Sequence, residues 1–90
     1  MHLGIYRFEG DPAELLPAYD RMLASMPRGA IIFHACAVEP HGITIYDACP
    51  TREAFERFSP GAECEAALTA AGLPAPEIES VPIHKAIATI

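Results

Sequence analysis

Apolar residues recur with two different periods along the first third of the chain, and these periods predict a strand followed by a helix. The segment HLGIYRF, residues 2–8, is rich in aromatic and β-branched residues and ends at a Gly-Asp-Pro break, as strands do. Asp11 then stands at a helix N-cap position, with Pro12 at the first helical position. The predicted helix runs from Pro12 to Met26, and Pro17 predicts a kink or an early break in it. Its apolar positions form one stripe: Leu15, Leu16, Tyr19, Met22, Leu23 and Met26.

The middle of the chain predicts a β-hairpin. AIIFHACAV, residues 30–38, and ITIYDAC, residues 43–49, are apolar runs on either side of the turn sequence EPHG. With residues 39–42 as the loop, the register places His34 directly opposite Asp47. Directly opposed side chains have Cβ atoms about 4.5–5.5 Å apart, so the carboxylate can accept a hydrogen bond from the imidazole and fix its tautomer.

Two short helices and a last strand follow the hairpin. Thr51 caps a helix that begins REAFERF, with Ala54, Phe55 and Phe58 on its inner face. Ser59 and Pro60 then start a third helix, AECEAALTAAG, which ends at a C′ glycine, Gly72. The sequence IESVPIHKAIATI, residues 78–90, predicts the last strand, and Pro82 places part of it at a sheet edge or bulge.

The element order β-α-β-β-α-β predicts an α+β, ferredoxin-like domain that spans residues 1–90. Its helices cover one face of the sheet and leave the other face bare. A chain of 90 residues with 51% hydrophobic composition has apolar surface to spare, which favours a homodimer.

The hairpin sequence also predicts which side chains share a face. Ile31, Phe33 and Ala35 are wholly apolar and are predicted to face the helices, together with Tyr46. The alternate set is mixed and is predicted to lie on the bare face, against a ligand or a partner subunit: Ile32, His34, Cys36, Ile43, Ile45, Asp47 and Cys49. Two interpretations of the His–Asp pair remain open, a dyad in a ligand cavity or a polar pair that fixes register inside a dimer interface.

The net charge and the cysteine content argue against some binding partners and indicate a cellular compartment. The net charge is −6, with six Lys plus Arg against twelve Asp plus Glu, so nucleic acid and anionic membranes are poor partners. No apolar run approaches the length of a membrane span, and the N-terminus lacks the features of a signal peptide. Three widely spaced cysteines match neither a disulfide framework nor a zinc pattern, and predict reduced thiols in a cytoplasmic protein.

Three segments resemble a known group of small dimeric α/β-barrel proteins, those related to the antibiotic-biosynthesis monooxygenase domain. The segments are GAIIFHACA, GITIYDACPTREAFERF and AAGLPAPEIESVPIHKAI, which cover about two-thirds of the chain from Gly29 onward. The resemblance implies two subunits that pack their bare sheets into an eight-stranded barrel, with a cavity for a small aromatic or polyketide substrate. It also assigns His34, Asp47 and His84 to matching motif positions. This chain has no tryptophan, whereas oxygenase and haem-degrading members tend to use one, which favours acid–base chemistry over oxygenation.

Further candidates each have a structural alternative. His84 is a possible second acid or base, or an exposed histidine near a sheet edge. Tyr6 is a possible hydrogen-bond donor to a substrate oxygen, or an amphipathic residue at the rim. Cys36 and Cys49 are possible nucleophiles, although buried thiols without an activating base are the simpler interpretation. Two histidines and one carboxylate could form a metal triad, but no spacing typical of metal ligands supports one. His41 belongs to a turn, and His2 lies too near the end of the sequence for a role to be predicted.

The sequence therefore predicts a cofactor-free, metal-free homodimeric enzyme for cyclisation, isomerisation or dehydration of a small aromatic or polyketide-like substrate. In this hypothesis His34 is the general acid or base, Asp47 orients it and His84 assists. The predicted substrate-binding residues are Tyr6, Ile32, Cys36, Ile45 and Cys49. A non-catalytic dimer that binds a small hydrophobic ligand is the alternative, and a cofactor-free monooxygenase is the third.

Overall fold

The computed structural model describes residues 1–25, 31–58 and 62–87, without the side chains of residues 58, 62 and 63. The predictions made for Met26, Gly29, Ser59, Pro60 and residues 88–90, and for the side chain of Phe58, lie outside this part. The elements follow in the predicted order: β1 (His2–Glu9), α1 (Pro12–Ser25), β2 (Phe33–Glu39), β3 (Gly42–Cys49), α2 (Arg52–Phe58), α3 (Ala62–Ala71) and β4 (Glu77–Pro82).

The four strands form one antiparallel sheet in the order β2-β3-β1-β4. With helices on one side of such a sheet, the α+β ferredoxin-like fold predicted from the sequence is confirmed. The predicted hairpin register is also confirmed, because His34 pairs with Asp47. The turn is shorter than predicted: pairing continues to Glu39 and Gly42, which leaves Pro40 and His41 to connect the strands.

Local capping predictions are confirmed at three helix ends. Asp11 Oδ1 accepts a hydrogen bond from the backbone N–H of Ala13 at 3.0 Å, and Thr51 Oγ1 accepts one from the N–H of Ala54 at 3.1 Å. Gly72 has φ 90°, a left-handed conformation that favours glycine, and ends α3. Pro17 lies inside α1, which continues past it for two turns.

The core lies between the helices and one face of the sheet. Strands β1 and β3 contribute Tyr6, Phe8, Ile43 and Ile45, all at most 5% exposed. The helices contribute further buried apolar side chains, at helical spacing: Leu15, Ala18, Tyr19, Met22, Ala54, Phe55, Cys64, Leu68 and Ala71. Arg21 ties α1 to the end of α3, since its Nε and Nη2 donate to the carbonyl oxygen of Ala71 at 3.2 and 3.0 Å.

The predicted assignment of the two sheet faces is wrong for the paired strand residues, whereas Ile31, which precedes β2, packs against the core as predicted. His34 contacts Tyr19 of α1, and Asp47 shares its face with Ile45 and Ile43 of the core, so this set faces the helices. Phe33 is 58% exposed and lies on the open face. The physical reason is that β2 is an edge strand, where an apolar side chain need not point into the core and a polar one can, if it is paired.

The residues with the opposite parity in β1 and β3 form the rest of the open face. Tyr46, predicted to join the core, is half-buried there, opposite Ile5. Arg7 and Glu79 form an exposed ion pair of 3.2 Å on this same face. The apolar residues of the open face are Leu3, Ile5, Phe33, Ala35, Ala37, Tyr46, Ala48 and Val81.

The last strand is shorter than predicted. β4 ends at Pro82, which pairs with His2, the first residue of β1. Beyond Pro82 the N–H of Ile83 still donates to the carbonyl oxygen of Met1 at 2.9 Å, but residues 83–87 contain no strand. β4 is an edge strand, so the predicted edge position of Pro82 is confirmed.

Across residues 1–25, 31–58 and 62–87, no helix is both long enough and apolar enough to cross a membrane.

Candidate functional site

The candidate site is built around the predicted pair of His34 and Asp47 in the β2–β3 hairpin. The register places the two residues directly opposite one another, and Nδ1 of His34 hydrogen-bonds Oδ1 of Asp47. The Asp47 side chain is 7% exposed, whereas that of His34 is 26% exposed. The pair therefore extends from the buried centre of the sheet to a point that solvent or a small molecule can reach.

A third residue, Tyr19 of α1, completes the group. Its hydroxyl lies 2.5 Å from Nε2 of His34, and the two rings are nearly parallel, with an interplanar angle of 7°. Tyr19 belongs to the apolar stripe of α1, so the same amphipathic pattern that docks the helix also points the hydroxyl at the sheet. The sequence pattern treated Tyr19 only as a core residue.

The order of the contacts fixes how the protons are arranged. Asp47 accepts a hydrogen bond, so a neutral imidazole carries its proton on Nδ1 and leaves Nε2 as an acceptor. The hydroxyl of Tyr19 then donates to Nε2. The result is a Tyr–His–Asp relay, in which loss of a proton from Tyr19 would be balanced by gain of a proton at His34 and by the charge of Asp47.

Burial raises the pKa of the Asp47 carboxyl, and the hydrogen bond and the charge of His34 act in the opposite direction. Burial is the larger effect because the carboxylate loses water in the core. A carboxylate held in such a place needs its histidine partner, and removing the imidazole would leave the acid buried and unpaired. The relay is therefore a coupled unit rather than three independent side chains.

The other predicted site residues divide into two groups. Tyr6, Ile45 and Cys49 are buried, and Cys36 is half-buried against the core, on the same helix-facing side as the relay. Ile32 is 59% exposed at the start of the hairpin, away from the core. The predicted bare-face location is therefore wrong for Cys36, Ile45 and Cys49, for the reason given above for β2.

His84 follows β4 in an exposed segment. In the described part of the chain no three His, Cys, Asp or Glu side chains come together as metal ligands, so His84 is not grouped with His34 and Asp47. Within the described residues, no contact supports the predicted role of His84 as a second acid or base.

The three cysteines allow a direct prediction about nucleophilic chemistry. Burial raises the pKa of Cys36, Cys49 and Cys64, and the nearby carboxylates of Asp20, Asp47 and Glu65 raise these pKa values further. We expect slow alkylation of Cys49 and Cys64 by iodoacetamide in the folded protein at neutral pH, and fast alkylation of all three thiols in urea. Mass spectrometry over time measures this. Rapid modification of one thiol in the folded protein would instead identify a reactive nucleophile.

A groove of about 630 Å³ opens at the other end of the sheet, beside the β2–β3 turn. Its charged residues are mainly acidic, Glu9, Glu39 and Glu77 with Arg7, and it includes none of the predicted site residues. It is therefore separate from the relay.

Comparison with solved structures identifies the class of fold. No family model and no curated protein matches the sequence. The structure, however, superimposes over nearly its whole length on two proteins provisionally named antibiotic biosynthesis monooxygenases and on a cofactor-independent oxygenase, so the chain shares their fold.

Three of these structures illustrate the likeness. SnoaB of Streptomyces nogalater, a cofactor-independent oxygenase, is 19% identical with a TM-score of 0.71, over 98% of this chain and 97% of SnoaB. A protein of Deinococcus radiodurans, provisionally named an antibiotic biosynthesis monooxygenase, is 12% identical with a TM-score of 0.69, over 100% and 99% of the two chains. A third, from Chloroflexus aurantiacus and with the same provisional name, is 17% identical with a TM-score of 0.60, over 94% and 95%.

Proposed function

We propose that the protein is a small enzyme that abstracts and returns protons on a small aromatic or polyketide-like substrate, without a cofactor. The observation that carries the proposal is the Tyr19–His34–Asp47 relay. A buried carboxylate, an imidazole and a hydroxyl hydrogen-bonded in series form an arrangement that general acid–base catalysis uses. The similarity of fold to a cofactor-independent oxygenase supports an enzymatic role.

The substrate proton enters the relay through Tyr19. Both ring nitrogens of His34 are engaged, so a direct transfer to the imidazole would first have to displace the tyrosine. Instead, the oxygen of Tyr19 accepts a proton from an acidic C–H or O–H group while its own hydroxyl proton moves to Nε2. The electron pair of the broken bond stays on the substrate as an enolate or phenolate, and Asp47 stabilises the imidazolium. Tyr19 is thus the catalytic residue, and His34 and Asp47 act through it.

The product depends on where the proton returns. Reprotonation at a different atom gives an isomer, and attack of the enolate carbon on a carbonyl group of the same molecule closes a ring. Neither outcome needs an electron donor or acceptor. We favour this chemistry because the relay moves protons, which is all that these reactions require.

A cofactor-free oxygenase is the second candidate, favoured by the likeness to SnoaB. Its first step would be the same deprotonation. With O₂ as co-reactant, a methylene group would become a carbonyl group, and one oxygen atom would leave as water. A non-catalytic dimer that binds a small hydrophobic molecule is the remaining alternative, in which the relay only satisfies buried polar groups.

One experiment separates these candidates. Anthrone and acetylacetone both carry an acidic methylene group, and proton NMR in heavy water follows the loss of its signal. We expect the protein to accelerate this exchange over an equal concentration of the His34→Ala variant. In air, formation of anthraquinone from anthrone would identify the oxygenase. Binding without exchange or oxidation would indicate the non-catalytic role, and no effect of any kind would contradict all three.

We also propose that the open sheet face joins two copies of the chain. It is mainly apolar, and Phe33 and Val81 are 58% and 43% exposed in the monomer. We expect light scattering to give twice the monomer mass of 9.7 kDa. Phe33→Asp should shift the protein to monomer, because it buries a charge in the interface. The control is Val38→Asp, since Val38 is equally exposed but lies on the helix-facing side, and it should remain dimeric. A parent protein that is monomeric would contradict the proposal.

A further inference from the structure

Access to the proposed relay is from the edge of the sheet. The side chain of Asp47 is 7% exposed and Tyr19 is 8% exposed, whereas the side chain of His34 is 26% exposed. His34 belongs to β2, which is an edge strand, so within the described residues no further strand covers it on that side. A substrate therefore reaches the relay across the imidazole, from the outer edge of β2.

A row of uncharged side chains continues from His34 along β2 toward the β2–β3 turn. Cys36 and Val38 have the same parity as His34, so all three lie on the helix-facing side of the strand. Cys36 is half-buried and Val38 is 61% exposed, so the row emerges from the core onto the surface. We call these three residues the β2 track, because they lead from the relay to open solvent.

Helix α1 lies along the other side of the β2 track. It begins beside the β2–β3 turn, where the N–H of Gly10 donates to the carbonyl oxygen of His41 at 2.9 Å. Because Tyr19 lies over the relay, the preceding turn of the helix, with Leu16, lies toward the Val38 end of the track. Leu16 is itself half-buried against the core. The surface beside the track is therefore apolar as well.

Two negative charges flank the β2 track. Burial raises the pKa of the Cys36 thiol, and the charge of Asp20, an exposed residue of α1, raises it further. The carboxylate of Asp20 is therefore close enough to act on the middle of the track. Glu39 follows Val38 and ends the strand. A negatively charged group on the track would be repelled at both places, so the track suits a neutral ligand.

We propose that the substrate lies lengthwise on the β2 track, with its acidic group at the relay and a neutral, apolar arm that extends over Cys36 to Val38. This inference rests on the proposed function. His34 and Val38 are four positions apart, which is about 13 Å along a strand. The substrate class is then a 1,3-dicarbonyl compound with an extended, uncharged arm on one side of its acidic methylene group, and Val38 determines the useful length of that arm.

The size of the track favours a small molecule over a protein partner. A stable protein interface covers roughly 800 Å² on each partner, far more than three side chains in a row supply. A flexible or flat apolar arm, by contrast, needs only a narrow strip of surface that is continuous with the reacting group. The β2 track provides such a strip.

Three diketones with the same acidic methylene group and different arms measure the track: acetylacetone, 2,4-octanedione and 2,4-dodecanedione. The arm of 2,4-octanedione is long enough to reach Cys36, and that of 2,4-dodecanedione is long enough to reach Val38. Calorimetric titration gives the Kd of each, and deuterium uptake in heavy water, followed by mass spectrometry, gives kcat and KM. We expect Kd and KM to fall along the series, by up to about fourfold for each methylene group that becomes buried, while kcat stays nearly constant.

Val38→Ser removes the apolar end of the track. It should raise the Kd of 2,4-dodecanedione about three- to tenfold and leave the Kd values of the two shorter diketones unchanged. The control is Ile78→Ser, which also replaces an exposed β-branched residue on the helix-facing side of an edge strand, but at the opposite edge of the sheet. It should change none of the three constants. The Tm of each variant shows that the fold is retained.

A charged arm tests the requirement for a neutral ligand. Succinylacetone carries a carboxylate on an arm similar in length to that of 2,4-octanedione. We expect it to bind no better than acetylacetone to the parent, and to gain affinity in Asp20→Asn, whereas 2,4-octanedione should bind the two proteins equally. Equal affinity of the parent for succinylacetone and 2,4-octanedione would contradict the predicted repulsion.

The outcomes also separate this inference from the proposed function. If Kd depends on arm length and on Val38 but no exchange is accelerated, the track stands as a binding surface and the catalytic proposal fails. If exchange of all three diketones is accelerated with equal KM, and Val38→Ser changes nothing, the catalytic proposal stands and the track is wrong. An equal effect of Val38→Ser on all three diketones, or no saturable binding of 2,4-dodecanedione, would also overturn the inference.

Discussion

Replacing Tyr19 by Phe should slow the protein-dependent proton exchange by about 10²–10⁴-fold, the usual contribution of general acid–base catalysis. The substitution removes one oxygen atom and keeps the ring that packs in the core, so the fold should persist. It also tests the direction of transfer, because the loss of the hydroxyl frees Nε2 of His34. If the imidazole itself were the base, Tyr19→Phe would retain or increase the activity, and the relay would be wrong.

Substitutions at the other two positions distinguish a catalytic relay from a structural one. If it is catalytic, His34→Ala should abolish exchange in a folded protein, and Asp47→Asn should slow it by favouring the wrong tautomer. If it is structural, each single substitution should cost about 1–3 kcal/mol of stability, since a buried partner is left unpaired. The double variant His34→Leu with Asp47→Leu decides between them. A Tm equal to that of the parent together with unchanged exchange would rule out a catalytic role for the pair.

Gly42→Ala should destabilise the fold by about 3 kcal/mol, at the upper end of the cost of overpacking. A Cβ atom on Gly42 would lie 2.1 Å from the backbone oxygen of Phe8, and no rotamer change can relieve a contact with backbone. The residue pairs with Glu9, so the β1–β3 ladder would have to open at this end. Urea unfolding measures the change. The control is His41→Ala, because His41 is the neighbouring residue and its side chain is exposed, so its loss should hardly change the stability. An unchanged urea midpoint for Gly42→Ala would contradict the close contact between Gly42 and Phe8.

The sequence predicted the fold and the pairing within the hairpin, because both depend on local signals. Helix boundaries are marked by local residues: the caps Asp11 and Thr51 and the glycine that ends α3. The length of the turn between β2 and β3 likewise determines which residues of the hairpin lie opposite each other. Which face meets the helices is a tertiary property, and β2 gave a misleading indication because it is an edge strand. β1 carried the better signal: Arg7 points to one face, and Tyr6 and Phe8 point to the other.

Tyr19 could not be identified for a related reason. A tyrosine in an apolar stripe is indistinguishable from other core residues until the opposite surface is known. Once the helix-facing side includes His34, the hydroxyl has an obvious partner.

In the proposed dimer, the separation of the two sheet faces would make each subunit self-sufficient. Asp47 points to the helices, and the adjacent residue Tyr46 points to the open face. Residues of the proposed relay and residues of the proposed dimer interface therefore alternate along β3. Mixed dimers of parent and His34→Ala chains should therefore have activity proportional to the fraction of parent chains. Two differently inactivated chains should not complement each other, and a monomeric Phe33→Asp chain should retain a complete relay.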